Sequence, residues 1–89
     1  MPMAGDGLVK LLEELGELTQ IAAKKLAYIG TDSHPDGCGS MKVRMEEEMA
    51  DVRAASDFVQ LRFGLDEEAI AARAKMKFER FERWHNSPD

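Results

Sequence analysis

Cysteine and basic residues are both scarce in this 89-residue chain. A single cysteine, Cys38, excludes an internal disulfide and any zinc site built from cysteine pairs. The 12 basic residues are outnumbered by 17 acidic ones, so the chain lacks the basic excess of a nucleic-acid binder. No apolar run is long enough to span a membrane, and no signal-peptide pattern is present. We therefore expect a cytoplasmic protein with a reduced thiol, no membrane contact and no nucleic-acid partner.

Strand signals are missing as well. No run alternates apolar and polar residues, and no hairpin dipeptide separates β-branched segments. Apolar residues instead recur at helical spacing in three segments, which predicts an all-α fold. The first helix is expected over Leu8 to Ile29, the second over Met41 to Phe63, and the third from Glu67 to about Trp84.

Residues at the helix ends fit helix capping. Asp6, Ser40 and Asp66 are expected to cap the three N-termini, because their side-chain oxygens can accept a backbone N–H of the first turn. Gly30 and Gly64 are expected to end the first and second helices. Residues 30–40 are rich in Gly, Asp, Ser and Pro and predict a loop.

The expected architecture is one domain, residues 1–89, with flexible ends at 1–5 and 86–89. The first two helices should form an antiparallel pair, and the third should pack on them. That third helix carries a predicted buried stripe of Ile70, Ala71, Ala74, Phe78, Phe81 and Trp84. A chain this short can build only a small core, so we expect a homo-oligomer to complete the helical bundle.

Paired carboxylates are the chemical feature that stands out. Glu14 and Glu17 lie three residues apart on the first helix, and Glu48 and Asp51 repeat that spacing on the second. Residues at i and i+3 share one helix face, so each pair can present its oxygens to one point. The alternative is an ordinary solvated face, since most acidic helix residues simply contact water.

Two observations favour a metal site over a solvated face. Both pairs border the apolar stripe of their helix, where unpaired carboxylates would raise one another's pKa. A divalent cation removes this repulsion, and oxygen ligands suit a hard cation such as Mg²⁺. No His or Cys lies within either pattern, which argues against zinc. Neither pattern contains a Glu-x-x-His pair either, which argues against a helix-bundle metal store at these carboxylates.

The segments EELGEL (Glu13–Leu18) and EEEMAD (Glu46–Asp51) resemble the MazG-like all-α nucleotide pyrophosphohydrolases. The hallmark of that superfamily is EExxE on one helix and ExxD on the next. The similarity covers roughly residues 11–84. The chain departs from the pattern in its long spacer between the two motifs and in the short segment before Glu13, which leaves the base-binding end of the pocket unspecified.

The resemblance implies Mg²⁺-dependent hydrolysis of a nucleoside triphosphate to a monophosphate and pyrophosphate, with Mn²⁺ as a possible substitute and nucleotide-pool house-cleaning as a role. It assigns Glu14, Glu17, Glu48 and Asp51 as metal ligands. Glu13 and Glu47 are candidates for a general base or for groups that orient the ligands. Basic residues that could contact phosphates are Lys24, Lys75, Lys77, Arg80 and Arg83. Their alternative role is to form local charge pairs for solubility.

A second class of function remains open at this point. The short N-terminal segment and the long loop also fit a non-catalytic helical oligomer that binds partners and keeps a degenerate metal site. Specific binding of Mg²⁺ would separate the two classes, because a pure scaffold has no need of the metal.

Overall fold

A computed structural model describes residues 4–29 and 39–87, and these are almost entirely helical. A 3₁₀ turn, Ala4–Gly7, leads into three helices: α1 (Leu8–Ala27), α2 (Met41–Phe63) and α3 (Glu67–Asn86). Neither described range contains a strand, so the predicted all-α class is confirmed for them. The predicted stop at Gly30 and most of the predicted loop, at 30–38, lie outside the described residues.

None of the three described helices is long and apolar enough to cross a bilayer.

Three predicted helix ends are confirmed. At the start of α2, the Ser40 hydroxyl accepts a hydrogen bond from the Val43 N–H at 3.3 Å. At the start of α3, the Asp66 carboxylate accepts hydrogen bonds from the N–H groups of Glu68 and Ala69. Gly64 ends α2 with a φ of 62°, a left-handed conformation that glycine adopts at little cost. These local rules are independent of tertiary packing, which explains why the sequence predicts them well.

The start of α1 differs from the prediction. Asp6 does not cap the helix; Gly7 occupies that position, and no side chain caps α1. The chain is left-handed at Gly5, Asp6 and Gly7, which turns the Asp6 side chain toward α2. Its carboxylate lies 3.5 Å from the Arg62 guanidinium. Asp6 therefore connects the N-terminal turn to the C-terminal end of α2 by an ion pair. The two residues are far apart in the sequence, so no rule about neighbouring residues predicts this contact.

Helices α1 and α2 form the predicted antiparallel pair. Their contact buries Ile21, Met41 and Val59, and the N-terminal turn packs against the same pair. At Gly7, with φ 94°, a Cβ atom would lie only 2.7 Å from Cδ1 of Phe58. The backbone of this turn therefore packs directly against the Phe58 ring. Position 7 requires glycine because its φ is positive and because a Cβ atom would collide with that ring.

The predicted buried stripe on α3 is wrong for the single chain. No α3 residue is buried, and its apolar residues are 42% to 66% exposed at Ile70, Phe78, Phe81 and Trp84. Among the described elements, α1, α2 and the N-terminal turn pack together, whereas α3 packs extensively on none of them, contrary to the prediction. The molecule is correspondingly flat, at 41 × 37 × 15 Å. The described helices therefore form a single layer. Helical periodicity identified an amphipathic helix, but periodicity alone does not say whether the surface that covers it belongs to the same chain.

Gly7 and Gly16 provide a matched test of the N-terminal turn. We expect Gly7→Ala to lower the free energy of unfolding by about 2 kcal/mol, since it adds left-handed strain and a collision with Phe58. Gly16→Ala should instead raise it by roughly 0.5–1 kcal/mol, because an added Cβ in the middle of α1 meets no atom within 4 Å. Urea denaturation followed by circular dichroism measures both. A Gly7→Ala protein as stable as the parent would contradict this account of the turn.

Candidate metal centre

Four carboxylates meet at the contact between α1 and α2. Glu14 and Glu17 extend from α1, and Glu48 and Asp51 extend from α2; one oxygen of each lies within 4.8 Å of the others. The i, i+3 spacing places each pair on one helix face, and the antiparallel packing turns the two faces toward each other. The four residues predicted as metal ligands are thus brought together in the described structure.

Two of these side chains are withdrawn from water. Glu14 is only 8% exposed, and Glu48 is partly buried. The Oε2 atoms of both are buried and have no hydrogen-bond partner within residues 4–29 and 39–87. A buried acceptor left unpaired costs about 1–3 kcal/mol, and more when it is charged. The two oxygens are therefore positioned to accept a ligand from outside the chain.

The pKa values of these two carboxyl groups reflect this environment. Loss of hydration raises the pKa of Glu14, and the charges of Glu17 and Asp51 raise it further. Burial likewise raises the pKa of Glu48, with a hydrogen bond to Glu17 and the surrounding negative charges acting in the same direction. Both carboxyl groups therefore resist ionisation in the protein without a cation.

Lys10 offers limited compensation for this charge. Its ammonium lies 3.8 Å from Oε1 of Glu14 and 3.2 Å from Oε2 of Glu13. The lysine side chain is more than half exposed, so water screens its attraction. The Glu14 pair is also too long for a good hydrogen bond. Lys10 therefore neutralises little of the negative charge of the cluster.

The donor set fits a hard divalent cation. All four ligands are carboxylate oxygens, the type that Mg²⁺, Ca²⁺ and Mn²⁺ prefer. Oxygens opposite each other across Mg²⁺ lie roughly 4.2 Å apart, twice the ~2.1 Å bond length. The observed spread of up to 4.8 Å needs only a small contraction to bind one ion. The unpaired Oε2 atoms of Glu14 and Glu48 supply a reason, independent of acidity, for a cation to bind here.

A recess opens on each side of the carboxylates. One, of about 250 Å³, is polar and lined by Glu17, Gln20, Ile21, Lys24, Arg44 and Glu48. The other, of about 350 Å³, is largely apolar and lined by Gly7, Lys10, Glu14, Asp51, Ala54, Ala55 and Phe58. The carboxylates thus lie midway along a groove whose two ends differ in chemistry.

The other predicted site residues are distributed unevenly. Lys24 lines the polar recess, while Glu13 and Glu47 are exposed beside the cluster. No α3 residue lines either recess, so the remaining predicted phosphate contacts are not brought to the carboxylates within one chain: Lys75, Lys77, Arg80 and Arg83.

Sequence reasoning missed two features of the groove. Arg44 lies one helical turn before Glu48, so the same spacing argument that found the carboxylates could have found it. Phe58 is two turns beyond Asp51, but its position beside Gly7 depends on the path of the N-terminal turn, which has no recognisable local signal.

Comparison of the chain with protein-family models, with curated proteins and with solved structures returned no match. The function therefore has to be inferred from the motif and from the geometry of the groove.

A metal-free comparison of Glu48→Gln with Glu46→Gln tests the repulsion in the cluster. Because folding raises the Glu48 pKa, the folded state holds this proton more tightly than the unfolded state does. Protonated Glu48 therefore contributes to the free energy of unfolding at pH values below the ordinary pKa near 4.5. This contribution is lost as the pH rises through the raised pKa of the folded state. Glu48→Gln should thus stabilise the metal-free protein at pH 7.5 and lose this advantage near pH 4.

Urea denaturation in EDTA at the two pH values measures the effect. Glu46→Gln, an exposed change in the same acidic run, should leave stability nearly unchanged at both. A Glu48→Gln protein that is less stable than the parent at pH 7.5 would contradict the proposed repulsion.

Proposed function

We propose that this protein is a Mg²⁺-dependent nucleoside triphosphate pyrophosphohydrolase, with Mn²⁺ as a substitute metal. The observation that carries the proposal is the set of four convergent carboxylates with two buried, unpaired oxygens. The EExxE and ExxD motifs, which resemble the MazG-like enzymes, support the choice of reaction. Lys24 and Arg44 beside the carboxylates add the positive charge that phosphate oxygens require.

The carboxylates of the site have two proposed roles in the reaction, metal binding and proton transfer. Glu14, Glu17, Glu48 and Asp51 would hold the metal, which when bound neutralises phosphate charge and makes the attacking water more acidic. The oxygen of water forms a bond to phosphorus, and the P–O bond of the α,β-bridge breaks with release of pyrophosphate. A proton from that water must pass to a carboxylate. Glu13 and Glu47 are the proposed acceptors, and Glu13 is already positioned by Lys10.

Activity and metal binding can be tested with one pair of variants. Purified protein should release pyrophosphate from at least one member of a panel of ribo- and deoxynucleoside triphosphates, and EDTA should abolish this. Glu48→Gln should reduce the rate about 100-fold or more, since even residues that only support a metal ligand contribute 10–100-fold. Glu46→Gln should retain the parental rate.

Titration calorimetry with Mg²⁺ alone separates the two classes of function. Specific Mg²⁺ binding that Glu48→Gln removes, without hydrolysis of any nucleotide, would favour the non-catalytic alternative. Absence of both Mg²⁺ binding and hydrolysis would contradict the metal centre itself.

The exposed apolar face of α3 supports a homo-oligomer. A stable domain normally packs at least two layers of secondary structure around its core, whereas the described helices form one layer 15 Å thick. We propose that a second copy of the chain supplies the other layer, with α3 at the interface. Exposed aromatic rings are typical of such interfaces, and Phe81 and Trp84 already pack against each other with ring centroids 5.7 Å apart.

Charge complementarity favours a second copy over an unrelated partner. Residues 72–86 of α3 carry five basic and two acidic side chains, opposite in sign to the carboxylate cluster. A partner's α3 could therefore lie near that cluster without repulsion. Contact between phosphates and the basic residues of α3 would require this arrangement, since a single chain does not bring them to the groove.

Two substitutions that add the same charge to α3 test the interface. Ile70 belongs to the exposed apolar face, and Ala72 lies on the opposite side of the helix. We expect the parent to elute as a dimer or tetramer in size-exclusion chromatography with light scattering, and Ile70→Glu to dissociate it at micromolar concentration. Ala72→Glu should keep the parental mass. A monomeric parent at high concentration would contradict the proposed interface.

A further inference from the structure

The polar recess beside the carboxylates has the chemistry of an anion site. The side chains of Lys24 and Arg44 enter it from opposite helices, and the Gln20 amide can add a hydrogen-bond donor. No ion pair joins either cation to a carboxylate within the described residues. Arginine in particular presents several N–H groups in the geometry that phosphate oxygens accept.

The recess at the other end of the groove suits a flat, weakly polar group. The Gly7 backbone, the methyl groups of Ala54 and Ala55 and the Phe58 ring form its apolar lining. The two alanines leave space that larger side chains would fill. At about 350 Å³, the recess falls at the lower end of the ~300–1,000 Å³ range of small-molecule pockets.

Phe58 is both held in place and accessible. Its ring packs against Gly7, where even an added Cβ would collide, so the turn restricts its position. The side chain is nevertheless 40% exposed. A ring fixed on one side and open on the other can stack with a heterocycle, an interaction that nucleic-acid-binding proteins use with any base.

From these two ends we infer the direction in which the substrate lies, an inference that rests on the proposed function. We propose that the nucleotide runs along the α1–α2 groove, with its base and sugar in the Phe58 recess and its terminal phosphates between Lys24 and Arg44. The carboxylate cluster then lies beside the phosphate bridge that is cleaved. Pyrophosphate would leave from the basic end, and the nucleoside monophosphate from the apolar end.

The opposite direction is disfavoured by charge. Terminal phosphates in the apolar recess would lie against Ala54, Ala55 and Phe58, with Lys10 as the cation of that recess and its ammonium already shared by Glu13 and Glu14. A base in the polar recess would displace water from Lys24 and Arg44 without providing a negative charge in return, which is costly.

Binding of two kinds of product-like probe tests the direction without relying on activity. The probes are imidodiphosphate, a stable analogue of pyrophosphate, and two nucleoside monophosphates, one purine (AMP) and one pyrimidine (dCMP), each titrated calorimetrically in the presence of Mg²⁺. Arg44→Ala should weaken imidodiphosphate binding about tenfold, the scale of a charge-assisted hydrogen bond. It should leave monophosphate binding within about twofold of the parent.

Substitutions in the apolar recess should have the reverse effect. Phe58→Leu removes the aromatic face, and Ala54→Leu fills the recess from an exposed position, so the second variant does not disturb the core. Each should weaken monophosphate binding about fivefold or more and leave imidodiphosphate binding unchanged. Matched controls are Arg53→Ala and Phe63→Leu, whose side chains line neither recess.

Three outcomes would overturn the proposed direction. If Arg44→Ala weakens the monophosphate and the Phe58 or Ala54 variants weaken imidodiphosphate, the nucleotide runs the other way. If none of the variants alters binding while the parent still releases pyrophosphate, the direction is wrong and the proposed function stands. If the parent binds neither kind of probe with Mg²⁺ and hydrolyses no nucleotide, both proposals fail.

Discussion

Four carboxylates that repel one another lie where α1 packs against α2, and the fold has to accommodate them. Like charges at such short range oppose the helix pairing that Ile21, Met41 and Val59 stabilise. Burial increases the cost, because the Oε2 atoms of Glu14 and Glu48 are buried and have no hydrogen-bond partner among the described residues. A small protein has little stability to spare for such an arrangement. Its presence where the two helices pack supports the proposal that a cation binds there and removes the repulsion.

The same constraint organises the groove around the cluster. Antiparallel packing brings the acidic faces of α1 and α2 together. The groove on either side of the carboxylates is then lined by different residues at its two ends. Toward the C-terminus of α1 the neighbours are Lys24 and Arg44; toward its N-terminus they are small apolar residues and Phe58. A nucleotide has a similar polarity, with charge at one end and an aromatic ring at the other. The correspondence links the proposed metal, phosphate and base sites to a single feature, the pairing of two helices.

Local sequence rules succeeded where the chemistry is local. Ser40 and Asp66 cap helices because their oxygens reach N–H groups two or three residues ahead, and Gly64 accepts a left-handed conformation. The rule failed at Asp6, whose side chain contacts Arg62 on α2 instead. The periodicity rule failed for the apolar face of α3 that contains Ile70, which is exposed in the single chain. Amphipathic periodicity shows that a helix needs a covering surface but does not specify which chain provides it.

Residue order alone predicts the helical class, the bounds of α2 and α3 to within about two residues, and the two carboxylate pairs, because each depends on spacings within one helix. Helix packing is what brings the pairs within 4.8 Å of each other, leaves a buried oxygen of Glu14 and of Glu48 without a partner among the described residues, and gives the groove a basic and an apolar end. Those features depend on distances between residues far apart in the chain. Such distances are set by how α1, α2 and the N-terminal turn pack, and no local pattern records them.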